Sequence, residues 1–173
     1  GASELEAAYR LCLENNAFLI VDEAYSDFCL DGVFFSATRL DQELKNLVVV
    51  NSVSKNMGMS GWRLGYVFSE PDLINQIVKF NQHLMTCPAT LLSLYVEKYF
   101  DKILETTLPQ VRRVVEKRKR VASILDGLGI EHMPGESTFY LMINIERAGK
   151  SAEQFAMWLL KEHKIATVPG TYY

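Results

Sequence analysis

Apolar positions recur along this chain with two periods, and the switches between them mark out its elements. Leu5, Ala8, Tyr9 and Cys12 fall three or four apart, which predicts a helix over 4–14 ended by Asn15-Asn16. "AFLIVDEAY" (17–25) is a continuous apolar run closed by carboxylates and predicts a short, fully buried strand with its acids at the C-terminal end. Residues 26–45 read as an irregular segment and a short helix. "NLVVVNS" (46–52) and "LGYVFS" (64–69) predict two further strands. Ser69 and Pro71 signal the start of a helix over "SEPDLINQIVKFNQHL". "ATLLSLYVEKYFDKIL" (89–104) predicts another, and a longer one spans about Pro109 to Leu128. The polar face of that helix carries Arg112, Lys117, Arg118, Lys119 and Arg120 and reads as a solvated surface. "GIEHMPGESTFYLMINI" (129–145) reads as strand, turn, strand; "SAEQFAMWLLKEHK" (151–164) as an amphipathic helix; "IATVPG" (165–170) as the start of a last strand.

The order of elements is α/β to about residue 106, then a smaller α+β unit over 107–173, joined by the long helix. With 173 residues, 49% of them hydrophobic, the chain can bury a substantial core. A net charge of −3 gives no reason to expect a nucleic acid or an anionic membrane as partner. Apolar runs of four or five residues are far too short to span a membrane. The opening "GASELEAAYR" does not have the pattern of a signal peptide. Cys12, Cys29 and Cys87 are an odd set without a C-x-x-C pair. They fit buried or half-buried thiols in a reducing cytoplasm, with no disulfide framework or cysteine metal site. His83, His132 and His163 stand apart from one another and from acids at ligand spacing, so no metal is expected.

The chemistry concentrates in "VVVNSVSKNMGMSGWRLGY" (48–66). Only eleven residues separate Asn51 from Arg63, too few for a parallel crossover, so the strand after Arg63 should run antiparallel to the one before Ser52. Ser52, Ser54, Lys55 and Arg63 then converge at one rim, the carboxyl end of the sheet where ligands of open α/β folds bind. Asp22, closing another strand, faces the same crevice. Singly, each residue has an ordinary reading: a surface lysine, turn serines, a structural arginine, a strand-end acid. Jointly they form a set. Two hydroxyls and a guanidinium suit a phosphate, a lysine beside that cation suits an amine nucleophile, and a strand-end carboxylate awaits a cationic partner. That combination describes a pyridoxal phosphate site.

"DEAY" (22–25), "SVSK" (52–55) and "GWRLGY" (61–66), in this order and spacing, resemble the class I/II aminotransferases of pyridoxal phosphate fold type I, the aspartate aminotransferase superfamily. "STFYLMIN" and the late "VPG" extend the resemblance over essentially the whole chain. It implies the C-terminal part of a large cofactor domain over 1–106 and most of a small domain over 107–173. It implies a cytoplasmic, homodimeric enzyme of amino acid metabolism that moves an amino group between an amino acid and a 2-oxo acid. Lys55 matches the lysine that holds the cofactor as a Schiff base and carries a proton. Asp22 matches the carboxylate at the pyridine nitrogen, Tyr25 the phenol at the cofactor's phenolic oxygen, and Ser52 and Arg63 the phosphate ligands. Ser54 shapes the turn, and Glu23 has no catalytic counterpart. In relatives of this kind, further phosphate-binding and ring-stacking groups precede the matching stretch and a substrate-carboxylate arginine follows it. The 173-residue chain is therefore expected to be inactive alone.

Three other readings compete. Lyases, decarboxylases and acyl-CoA-dependent synthases of the same fold share the Asp and Lys, although the lyase and synthase relatives usually have histidine where this chain has Tyr25. Some transcription regulators carry an aminotransferase-like sensor domain, but no DNA-binding module is visible here. "SVSK" also satisfies the S-x-x-K motif of serine β-lactamases, without the S-D-N and K-T-G partners it needs. Nucleotide-binding glycine signatures are absent.

Overall fold

A computed structural model describes residues 1–29, 34–135 and 137–172. A three-stranded sheet, β1 (Leu19–Asp22), β2 (Leu47–Ser52) and β3 (Gly65–Phe68), lies in that order with β2 central. β1 and β2 are parallel, with Asp22 opposite Val50; β2 and β3 are antiparallel, with Ser52 opposite Gly65. The short connection after Asn51 thus returns the chain antiparallel, as its length requires.

Helix α1 (Ala2–Glu14) covers one face of the sheet. Its Tyr9 joins Ala37, Leu47 and Val49 in a core to which Leu5, Leu19 and Val21 add their sides. Asn15 closes the helix with its side-chain amide on the Leu11 carbonyl (2.8 Å), and Asn16 takes the left-handed conformation (φ 51°) that asparagine tolerates. β1 is half-buried rather than fully buried: Leu19 and Val21 face α1, while Ile20 is 68% exposed. The apolar run carried no alternation to reveal this, because both faces of β1 are apolar in composition.

Segment 26–45 holds two short 3-10 turns, Ser26–Phe28 and Ala37–Arg39, in place of the expected short helix; residues 30–33 lie outside the described residues. Helix α2 (Pro71–Met85) has Pro71 in its first turn. Ser69 does not cap it; its hydroxyl donates to the Leu47 carbonyl at 2.6 Å and ties β3 to β2. The chain runs through the expected break before Pro109, and α3 (Thr90–Gly127) is instead two helical stretches meeting at a kink at Tyr99 (φ −118°, ψ 16°). Pro109 lies inside it, with the fixed φ of proline compatible with the helix at the loss of one backbone donor.

The tail departs furthest from expectation. The strand–turn–strand reduces to a single bridge, His132 with Ile143, flanked by Met133 N–H to Met142 O and Asn144 N–H to Glu131 O, both 2.8 Å. Helix α4 (Ala152–Trp158) starts on a capping box between Ser151 and Gln154 and widens into a π-turn over Leu159–His163. Residues 165–169 form no strand, since no described segment offers them a ladder. Cys12 and Cys29 are half-buried, but Cys87 is exposed. No helix among the described residues is long and apolar enough to cross a membrane.

Candidate active site

The parallel pairing of β1 and β2 brings two turns to the same rim. At the end of β1, Asp22 is exposed and accepts the Ala24 N–H at 2.9 Å. Glu23 points the other way and is 5% exposed. Its carboxylate accepts the Ser36 hydroxyl (2.9 and 3.1 Å) and the Ala37 N–H (2.7 Å), so it anchors the following segment and serves no rim chemistry. Tyr25 follows, half-buried, with its ring edge-on to Phe28 at 5.5 Å.

At the end of β2, the Ser52 hydroxyl donates to Ser54 Oγ (2.8 Å) and accepts the Ser54 N–H (3.0 Å). Beneath this turn Val53, Met57 and Leu64 pack with Val96 of α3, fixing a polar loop to an apolar floor. Asn56, 6% exposed, donates to Asp27 Oδ2 at 2.6 Å and accepts the Met57 N–H, linking the turn after β2 to the turn after β1. Lys55 stands out of that turn with Nζ 5.6 Å from the centroid of the Tyr25 ring.

Arg63 ends the short turn before β3 in the left-handed conformation (φ 56°), and its Nη1 donates to the Ser60 carbonyl at 3.0 Å. Two residues on, a Cβ at Gly65 would lie 2.8 Å from the Asn51 carbonyl, so only glycine lets the strand return this closely. Lys55, Asp22 and Arg63 are all exposed, and none forms an ion pair among the described residues. A cavity of about 540 Å³ opens beside Lys55, with Phe28, Met57, Val111 and Phe139 in its walls. The Thr107 hydroxyl on its α3 side is buried with no hydrogen-bond partner among the described residues.

Two contributions escaped sequence reasoning. Phe139 and Tyr140 reach Tyr25 from the far end of the chain, with ring centroids at 5.9 and 6.2 Å. Arg118, grouped by composition with a solvated basic face, is 8% exposed and binds the backbone of their loop.

This rim carries an amine, an uncompensated guanidinium and paired hydroxyls on tight turns, with a carboxylate on the neighbouring strand end. The chain belongs to the aminotransferase class I and II family, whose pattern it matches over residues 2–173. It is 29% identical over 173 residues to an aspartate aminotransferase of Pyrococcus abyssi, covering 98% of this chain and 44% of that protein. It is 31% identical over 163 residues to the (5-formylfuran-3-yl)methyl phosphate transaminase of Methanocaldococcus jannaschii, covering 94% and 43%. The crystal structure of an aromatic aminotransferase from Pyrococcus horikoshii superposes with a TM-score of 0.88 at 28% identity, over 99% of this chain and 47% of the other. The chain therefore spans less than half the length of the relatives it matches, and within that span it has their mixed α/β fold.

Proposed function

We propose that the complete protein is a pyridoxal phosphate-dependent aminotransferase that exchanges an amino group between an amino acid and a 2-oxo acid. The observation that carries this reading is the placement of Lys55 against Tyr25 in the turns that follow adjacent parallel strands, with Asp22 closing β1 and Arg63 two residues before β3. The donor set fits the cofactor group by group. Arg63 supplies a fixed positive charge and Ser52 a hydroxyl for the phosphate. The Asp22 carboxylate, exposed and without an ion-pair partner among the described residues, suits a protonated ring nitrogen. The Tyr25 phenol serves the ring oxygen. Bound there, pyridoxal phosphate would supply an aldehyde that captures amines and a ring that withdraws electrons from the carbon beside them.

The chain's own residues then divide the work. Lys55 Nζ is the amine that would hold the cofactor and would carry a proton at the reacting carbon. Tyr25, lying beside that amine, orients it. Asn56 keeps the lysine turn in register with the turn of Tyr25 through Asp27. By the same resemblance the complete protein is cytoplasmic and homodimeric.

The test is borohydride reduction of the complete protein with pyridoxal phosphate, followed by peptide mapping. A reduced adduct on Lys55, with keto-acid-dependent amino transfer, supports the reading. An adduct elsewhere, or β-elimination without amino transfer, overturns it.

A further inference from the structure

Arg118 is a buried cation in a helix otherwise flanked by exposed ones. It sits on the same face of α3 as Val111 and Val115, four and three residues apart, and that face packs on Phe28. A guanidinium taken from water is costly unless its donors are used. Here Nε donates to the Tyr140 carbonyl and Nη1 to the Gly135 carbonyl, each at 2.8 Å. A Cβ at Gly135 would come within 2.7 Å of Arg118 Nη2, so glycine there lets the planar group lie against the backbone. One side chain thus holds the backbone at both Gly135 and Tyr140.

The segment held there delivers its aromatic residues to the candidate site. Phe139 packs on Phe28 (5.6 Å) and on Tyr140 (4.4 Å), and both rings of the pair touch Tyr25. Tyr25 in turn lies under the Lys55 ammonium. From the geometry we infer that Tyr140 is a further positioning residue of the Lys55–Tyr25 site, packing its ring against that of Tyr25, and that Arg118 is the residue that places it there. This rests on the function proposed above. The Tyr140 phenol reports the same arrangement. Tyr140 is 49% exposed, and its pKa is raised, first by Tyr25 and then by partial burial, while the Lys55 charge acts in the opposite direction. Among the described residues, the groups acting on that phenol are Tyr25 after β1 and Lys55 after β2, while Arg118 of α3 holds the backbone carbonyl of the same residue.

The experiment follows ring-labelled tyrosines by carbon NMR across an alkaline titration of the complete protein without cofactor, with the Tyr140 signal identified by its loss in Tyr140→Phe. Tyr25→Phe should bring the Tyr140 midpoint down toward the ordinary value of about 10, and Lys55→Ala should raise it. Arg118→Lys keeps the charge and stem but lacks the planar fork, so it should erase the response to Tyr25→Phe while leaving the circular dichroism spectrum unchanged. With pyridoxal phosphate bound, Tyr140→Phe should move the pH midpoint of the visible absorbance by roughly half a unit or more. A Tyr140 midpoint indifferent to both Tyr25→Phe and Lys55→Ala overturns the inference, and so does an absorbance midpoint unmoved in Tyr140→Phe. An unchanged coupling in Arg118→Lys overturns the role of Arg118. Failure of wild-type protein to trap cofactor on Lys55 would instead remove the functional reading, and the cofactor-free titration would still decide this one.

Discussion

Lys55 Nζ rests 5.6 Å from the centroid of the Tyr25 ring, although thirty residues separate the two in sequence. The contact exists because β1 and β2 run parallel in register, so the turns leaving them emerge side by side. A second tie, Asn56 to Asp27, holds the two turns together one residue after the lysine. An amine resting over a phenol at a sheet rim is placed before any ligand arrives, and in the function proposed above such pre-positioning would lower the entropic cost of reaction.

Lys55→Ala in the complete protein should abolish borohydride trapping of pyridoxal phosphate and reduce amino transfer by about a thousandfold or more, the upper range for a lost proton carrier. Tyr25 and Asn56 remain in place, so the fold should persist. A trapped adduct of normal yield in this variant would show that another amine does the work.

Asp22→Ala should weaken cofactor binding by roughly ten- to a hundredfold, the size of one charge-assisted hydrogen bond, and slow the chemical step further. Equilibrium dialysis and single-turnover absorbance separate the two effects. Because Asp22 is exposed and among the described residues supports only the Ala24 N–H, unfolding by urea should change little.

Glu23→Ala is the contrasting neighbour. It leaves the Ala37 N–H buried and unpaired and frees Ser36, which should cost about 2–4 kcal/mol of stability. Glu23→Gln retains one acceptor and should lose about half as much. Urea midpoints on both variants check this, and a Glu23→Ala protein as stable as wild type would mean the 36–39 turn finds other partners.

The contrast between these adjacent acids was partly legible in the sequence. The alternation of a strand places Asp22 and Glu23 on opposite faces, but which one meets the core depends on where α1 packs. The strands, the antiparallel return and the lysine turn were legible because apolar runs, a short connection and glycines act locally. Arg118 was not read correctly, yet its spacing from Val111 and Val115 puts it on the buried face of α3. Composition grouped it with its charged neighbours, and the carbonyls that satisfy it lie 17 and 22 residues further on, beyond any local pattern. The strands expected in the tail failed for a related reason. Period-two patterning shows that a segment suits a sheet, while a strand also needs a partner, and among the described residues only His132 and Ile143 pair there.

Alkaline stability should depend on Tyr9. Its phenol donates to the Lys45 carbonyl at 2.7 Å and to Asp41 Oδ2 at 3.1 Å, and its ring is 6% exposed. Burial first, then the Asp41 hydrogen bond and the charges of Asp41 and Glu70, push its pKa up from 10.0 to about 12. Folding therefore favours the protonated phenol. The contribution is intact below pH 10 and is lost as pH climbs through 10 toward 12. Urea midpoints measured from pH 8 to 12 should fall along that window in wild type and flatten in Tyr9→Phe, which should also lose about 1–2 kcal/mol at neutral pH. A parallel fall in both proteins would assign the alkaline limb to other groups.

The 173-residue chain by itself should bind pyridoxal phosphate weakly and show no steady amino transfer. Every charged group of the candidate site is exposed: Asp22, Lys55 and Arg63 each face solvent on the open side of the rim. In water a charge–charge contact at 4 Å is worth about 1 kcal/mol, and roughly four times that at a partly enclosed surface, so an open rim forfeits most of its attraction for a phosphate and a pyridinium. The sheet is open too, since among the described residues β1 and β3 each pair only with β2, and Ile20 and Phe18 are 68% and 54% exposed. Unpaired edges with apolar side chains favour association between copies, which sedimentation should detect at micromolar concentration. The decisive measurement adds cofactor, an amino acid and a 2-oxo acid to the purified chain. Inorganic phosphate should bind no more than weakly, and Arg63→Ala should remove even that. Sustained turnover by the 173 residues alone would show that Lys55, Asp22, Tyr25, Ser52 and Arg63 suffice as a catalyst, and that enclosure contributes little to this chemistry.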